Sequence, residues 1–176
     1  MHNVRSSTPD DELKIQALYK KVARISGGIA VREDEVSIDY IKDFMKKSMP
    51  NGFNLVVDHP TISTEIIGEV HCYPLQPRIF NHVLGELTIA VDPDFHRMGV
   101  GKNLLGTLQT LVKTKRPDIL RIELFTNETN TKSLALYERM GFIREGKLMH
   151  RLKWDKNTIE ADIPLAWFNP NYHNIK

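Results

Sequence analysis

The sequence predicts an α/β fold, a mixed sheet with helices packed on both of its faces. Three observations carry that expectation. Apolar, β-branched runs interleave with stripes of helical period, so strands and amphipathic helices follow one another along the chain. The run at 87–91 stops at Asp92-Pro93 and gives way to His96-Arg97-Met98-Gly99-Val100-Gly101-Lys102, a glycine loop that opens a helix. At 176 residues and 41% hydrophobic, the chain can bury a sizeable core as one domain, 1–176.

Each element has its own local reason. Val4-Arg5-Ser6 reads as a short first strand. Thr8 is placed to cap a helix that begins with Pro9, Asp10 and Asp11, and the stripe Leu13, Ala17, Leu18, Val22, Ile25 runs on to Gly27-Gly28. Ser37 caps a second helix with Ile38, Ile41, Phe44 and Met45 on one side, ended by Pro50-Asn51-Gly52. Strands follow at 53–57, 66–73 and 84–91. In the last of these Leu87, Ile89 and Val91 share one face, and Glu86, Thr88 and Ala90 the other. A helix over 100–115 turns Leu104, Leu105, Leu108, Leu111 and Val112 inward, and a strand occupies 120–125. A short helix over 131–140 closes on Gly141 at the position that favours a left-handed residue. A hairpin joins 148–154 to 159–168 across Asp155-Lys156-Asn157.

Composition narrows the function classes. With 24 basic and 22 acidic residues the net charge is +2, so neither a nucleic acid nor a membrane surface is an expected partner. A single cysteine, Cys72, excludes an internal disulfide and any cysteine-cluster metal site, and no metal is expected. No stretch reads as a signal peptide or approaches a membrane span, so the expectation is a cytoplasmic protein.

A strand, a glycine loop and a helix N-terminus together make an anion site, because loop amides converge there and the helix dipole adds about half a positive charge. The two best-known phosphate motifs do not fit. A Walker A loop would need glycine at His96 and a hydroxyl at Asn103, and a dinucleotide fingerprint would need its third glycine at Leu104. A plain strand-to-helix turn remains the alternative at this point.

A second pattern lies downstream: Asn130, Ser133, Leu136 and Tyr137, then Gly141-Phe142 and Arg144-Glu145-Gly146. The loop His96-Arg97-Met98-Gly99-Val100-Gly101 resembles the Gln/Arg-x-x-Gly-x-Gly/Ala coenzyme A loop of the GCN5-related N-acetyltransferase (GNAT) superfamily. The downstream pattern resembles that family's Asn-x-x-Ala/Ser-x-x-Leu-Tyr signature. The resemblance covers nearly the whole chain. It implies a mostly antiparallel sheet of about six to seven strands flanked by about four helices. It also implies acetyl-CoA as cosubstrate, and His96, Arg97, Met98, Gly99, Val100, Gly101 and Lys102 around its pyrophosphate. His96 departs from the family's usual Gln or Arg.

The resemblance further implies roles near the thioester. Tyr137 is placed to protonate the departing thiolate, since a phenol titrating near ~10 still holds its proton where a thiol of ~8.5 does not. An oxyanion donor is expected among the backbone amides of Ile89, Ala90 and Val91, in a strand that bulges and splays from its neighbour. Glu86 is the expected general base, with His71, Tyr73 and Glu123 as other candidates. Asn130 and Ser133 are expected at the coenzyme, although Asn130 is equally suited to capping its helix. Cys72 reads as an inert, buried thiol. The expected reaction is direct transfer of an acetyl group to a primary amine in a ternary complex. That amine is a small molecule, such as an amino acid or polyamine, or a peptide amino terminus. The alternative is a non-catalytic coenzyme A-binding regulatory module. The exposed hairpin edge is expected to favour a homodimer.

Overall fold

The computed structural model describes residues 3–25 and 27–173. The chain opens with β1 (Val4–Ser6), whose Arg5 is held between two carboxylates, Asp11 at 2.7 Å and Asp58 at 2.6 Å. Those hydrogen bonds hold Asp11 and Asp58 below the usual carboxylate range. Thr8 and Asp11 close a reciprocal cap, and a single 3-10 turn, Pro9–Asp11, leads into α1 (Glu12–Ala23). The predicted stripe of α1 needs correction. Leu13, Ala17 and Ile25 face solvent, and Ile15, Leu18, Tyr19 and Val22 form the buried face. That face keeps the i, i+3, i+4, i+7 spacing. It includes a tyrosine whose hydroxyl finds a buried partner, which an apolar count overlooks.

The second helix, α2 (Ile38–Asn51), starts where the Ser37 hydroxyl accepts from the Tyr40 amide at 3.0 Å. The strands β2 (Phe53–Asp58), β3 (Ile66–Pro74) and β4 (Val83–Val91) follow as an antiparallel meander. The helix α3 (Val100–Lys115) then carries the chain back to β5 (Arg121–Asn127), parallel to β4. After α4 (Thr131–Arg139) come β6 (Ile143–Arg144), β7 (Leu148–Lys153) and β8 (Ile159–Phe168). The sheet has eight strands in the order β1-β2-β3-β4-β5-β8-β6, with β7 also on β8. The two-residue β6 is the strand beyond expectation; it is too short to leave a periodic signal.

Two hydrophobic layers hold the sheet. On one face Leu104, Leu105, Leu108 and Val112 of α3, with Leu134 and Tyr137 of α4, pack on Leu55, Ile67, Leu84, Ile122 and Leu165. On the other, Ile15, Leu18, Tyr19 and Val22 of α1 and Ile41, Phe44 and Met45 of α2 pack on Val56, Ile66 and Ala90. Helices therefore lie on both faces, as predicted.

Two irregularities in β4 open the middle of the sheet. Its register against β3 runs from Thr88 opposite His71 to Gly85 opposite Tyr73, so Glu86 and Leu87 together face Cys72. That is a β-bulge, and Glu86 takes a left-handed φ of 52°. The extra residue puts Leu84 and Leu87 in the same core despite their odd separation. On its other side β4 meets β5 only at Val83–Arg121 and Leu84–Ile122, after which the strands diverge.

The α2–β2 corner depends on the absence of a side chain at Gly52. A Cβ there would overlap the Cys72 carbonyl oxygen and lie 2.8 Å from Tyr73 Cα, both backbone atoms of β3. Gly52→Ala is expected to destabilise the fold by about 1–3 kcal/mol. The check is a lower urea midpoint with an unchanged slope.

Candidate active site

The glycine loop sits where β4 ends and α3 begins. Asp92 caps the turn at 93–95 by accepting from the Asp94 amide, and Lys21 of α1 bridges Asp92 at 2.8 Å and Asp94 at 2.6 Å. Arg97 and Gly99 both take left-handed φ values, 65° and 84°. A Cβ at Gly99 would meet nothing within 4 Å, so the loop is open on that side. The first rung of the α3 ladder runs from the Asn103 amide to the Gly99 carbonyl at 2.9 Å. The amides of Val100, Gly101 and Lys102 consequently have no partner within the helix. Gly101 faces the protein: a Cβ would lie 3.3 Å from Leu136 and 3.7 Å from Val91, so glycine lets α3 approach β4 and α4 closely. Arg97, Met98 and Lys102 are exposed, and Val100 is buried. His96 turns back on its own strand, where Nε2 donates to the Val91 carbonyl at 3.1 Å. Its ring thus ties the loop to β4.

At the mouth of the split, Asn130 has two partners. Its Oδ1 accepts from the Ser133 amide at 3.1 Å and caps α4, while Nδ2 donates to the Gly27 carbonyl at 3.0 Å. Capping and a tie to the α1–α2 loop therefore coexist in one side chain. Ser133 is partly buried one turn into α4. Tyr137, a turn further, is 6% exposed and packs against Phe142 with ring centroids 5.9 Å apart. Burial pushes its hydroxyl well above the ordinary phenol range, so it stays protonated. No described residue hydrogen-bonds that hydroxyl, and it is not among the fully enclosed orphan atoms, which are Ser7 Oγ, Asn54 Oδ1 and Arg121 Nε.

Ile89 and Val91 lean on the α3 side of the sheet and Ala90 on the α1–α2 side. The bulge lies just before them, at Glu86–Leu87. The Glu86 carboxylate is exposed at the bulge, near enough to Tyr40, Tyr73 and Lys47 to affect their titration. The other base candidates separate clearly. Glu123 pairs with Arg121 at 3.0 Å, and Tyr73 is partly buried beneath Lys47. His71 is almost fully buried. Cys72 is enclosed, and burial pushes its thiol up to about 12, as expected for an inert sulfur.

The α1–α2 segment and the hairpin meet over this face, where Arg32 donates to the Trp154 carbonyl at 3.3 Å. The charges at 32–35 have local work: Glu33 pairs with Arg24, and Glu35 accepts from the Arg32 amide. Among the described residues no cluster of His, Cys, Asp and Glu has the makings of a metal site. No described helix is long and apolar enough to cross a membrane.

The model of the Acetyltransferase (GNAT) family matches residues 16–142. The chain belongs to the GNAT acetyltransferase family. It is 39% identical to the mycothiol acetyltransferase of Salinispora arenicola over 77 residues, 43% of this chain and 23% of that protein. It is 41% identical to the [ribosomal protein bS18]-alanine N-acetyltransferase of Salmonella typhimurium over 63 residues, 34% of this chain and 41% of that one. The chain thus spans under half the length of these curated relatives. Its backbone superposes on a GNAT superfamily phosphinothricin acetyltransferase of Sinorhizobium meliloti, solved with AcCoA, at a TM-score of 0.84. That match has 16% identity and covers 99% of this chain and 92% of that one.

Within this GNAT fold, the sequence reading missed Glu69, Tyr19 and Lys21. Glu69 had a signal: in the run at 66–74, Glu69, His71 and Tyr73 alternate on one face of an otherwise apolar strand. Lys21 had none, because its carboxylate partners lie far along the chain. The open, left-handed Gly99 generates a sharp test. Gly99→Glu strains the loop and points a negative charge at the orphan amides. Acetyl-CoA affinity measured by calorimetry is expected to fall at least ~100-fold, while the strain lowers the melting temperature by only about 2–4 °C.

Proposed function

We propose that this GNAT protein moves the acetyl group of acetyl-CoA to a primary amine by direct attack in a ternary complex. One observation carries the reading: β4 and β5 part after Leu84 and Ile122, β4 runs on to the α3 N-terminus with its unpaired amides, and the buried phenol of Tyr137, which no described residue hydrogen-bonds, lies in the core on the α3–α4 side of the same sheet. An extended pantetheine arm suits the open edge of a strand, where it can pair as an added strand. The Val100, Gly101 and Lys102 amides, with the dipole of α3, suit a pyrophosphate. The names of the curated relatives support an amine acceptor of either kind, a small molecule or a peptide amino terminus.

The chain's own groups then divide the chemistry. Glu86, at the exposed bulge, attracts the ammonium and takes its first proton, leaving a lone pair free to attack. Backbone amides in the stretch Ile89 to Val91 face the developing oxyanion. Tyr137 donates its proton to the sulfur as the C–S bond breaks; burial has kept that proton in place. Asn130 holds the α1–α2 loop over the opening through Gly27. The enclosed Cys72 takes no part, so no acetyl-enzyme is invoked.

Free coenzyme A release, followed with a thiol reagent across a panel of amines, tests the activity. Tyr137→Phe is expected to lower kcat by ~100-fold or more with acetyl-CoA affinity kept; wild-type kcat would remove its role as acid. Glu86→Gln is expected to move the kcat/KM profile to higher pH, because the amine must then shed its proton unaided. An unshifted profile would contradict its role as base.

A further inference from the structure

Beneath the acceptor face lies a buried polar cluster that the mechanism above leaves unused. Glu69 of β3 is 0% exposed. Its carboxylate accepts from the Tyr19 hydroxyl of α1 at 2.7 Å and meets His71 Nδ1 at 3.1 Å. Among the described residues, His71 is its only ion-pair partner. The imidazole is stacked on Phe44 of α2, ring centroids 3.9 Å apart and planes within 8°. Tyr19 and Tyr73 flank it at 6.5 and 6.4 Å. The remaining ring nitrogen, Nε2, bonds no described residue, and the side chain keeps a narrow 4% exposure. Across the strands His71 lies opposite Thr88, two residues beyond the Glu86 bulge.

A carboxylate sealed in a protein without a cation is costly, and it becomes tolerable once a neighbour takes up a positive charge. The contact with Glu69 fixes the imidazole with Nδ1 toward the carboxylate, which leaves Nε2 as the nitrogen able to take a proton, and the ring is held flat against Phe44. Tyr19 is pushed well above its usual range by burial and by Glu69, so it remains a donor throughout. Tyr73 and, across the ladder on β2, Asn54 adjoin this residue; Tyr40 of α2, raised to about 12 by burial, packs on Tyr19 and Phe44, and the Glu86 carboxylate is near enough to Tyr40 and Tyr73 to affect their titration.

We propose that His71, positioned by Glu69 and Tyr19, accepts the second proton that the attacking nitrogen sheds. The proposal rests on the acetyl-transfer reading. An ammonium acceptor carries three protons and the amide product keeps one, so two must leave. The first passes to Glu86 and on to solvent. The nitrogen pair forms the C–N bond while the C=O π pair moves to oxygen. The second proton then passes to His71 Nε2, directly or through a water at Thr88. As C=O reforms and C–S breaks, the sulfur takes the Tyr137 proton. His71 gives its proton back and Tyr137 regains one through solvent, for a net release of one proton per turnover.

The test is the acid limb of the kcat/KM–pH profile in three variants. His71→Gln is expected to lower kcat about 100-fold with acetyl-CoA affinity unchanged. Glu69→Gln puts a neutral amide in place of the carboxylate beside Nδ1, so the limb should move to lower pH. Tyr19→Phe leaves Glu69 a stronger acceptor, so the limb should move to higher pH. A purely structural cluster gives no such opposed pair of shifts. A limb that stays put in both variants, or wild-type kcat in His71→Gln, overturns the relay. The wild type supplies a measurement independent of variant folding: followed by NMR, the His71 ring must change protonation as pH crosses the acid limb. A ring that keeps one state throughout also overturns it. Wild-type coenzyme A release is scored first. Its absence with every amine refutes acetyl transfer itself, whereas the variant results refute only the relay.

Discussion

Everything proposed for this protein depends on one lost pairing. β4 and β5 meet at two residue pairs and then separate, although both strands continue. Strand edges do not stay unpaired inside a protein without a partner of some kind, because each buried amide or carbonyl left alone costs as much as a lost hydrogen bond. The divergence therefore creates an opening lined by backbone that is ready to pair. The α3 N-terminus follows the end of β4, and Tyr137 of α4 packs in the core on that side of the sheet. The elements on either side are held elsewhere: β4 by β3, β5 by the full length of β8, and α3 by a core of leucines.

The two faces of the sheet have different duties. The α3–α4 face is almost wholly apolar and fixes the loop, with Gly101 allowing close contact and Gln109 tying α3 to the Met140 carbonyl at 2.8 Å. The α1–α2 face buries titratable groups among aromatic rings: Tyr19, Glu69 and His71, with Tyr40 and Phe44 around them. Such a cluster costs stability compared with an apolar core of the same shape. Its His71 lies opposite Thr88, two residues beyond the Glu86 bulge, which is why it bears on the proposed proton movement. Lys21 joins the two regions by linking α1 to the start of the glycine loop through Asp92.

Element order was legible from the chain because each element carries its own signal. Leu104, Leu105, Leu108 and Val112 repeat with helical period, and Ser37, Thr8 and Asn130 stand where caps belong. The α1 stripe was displaced onto Leu13 and Ile25 because Tyr19 and Ile15 bury through partners on β3 that no local pattern reveals. β6 escaped notice because two residues have no period. At the site, the loop and Asn130–Tyr137 were legible as spacing. The turn of His96 onto Val91, the left-handed backbone of Glu86 and the Glu69–His71 contact were not, since each is set by register between strands.

The central claim is that the opening between β4 and β5, with the loop at 96–102, receives acetyl-CoA. Backbone amide shifts of the wild-type protein, followed by NMR during titration with acetyl-CoA and separately with ATP and NAD, test it most directly. The account predicts that acetyl-CoA moves the amides of Gly99, Val100, Gly101 and Lys102 together with those of Ile89, Ala90 and Val91, and that ATP and NAD do not. Shifts confined to other parts of the fold, or an acetyl-CoA titration that leaves these amides in place, would contradict it.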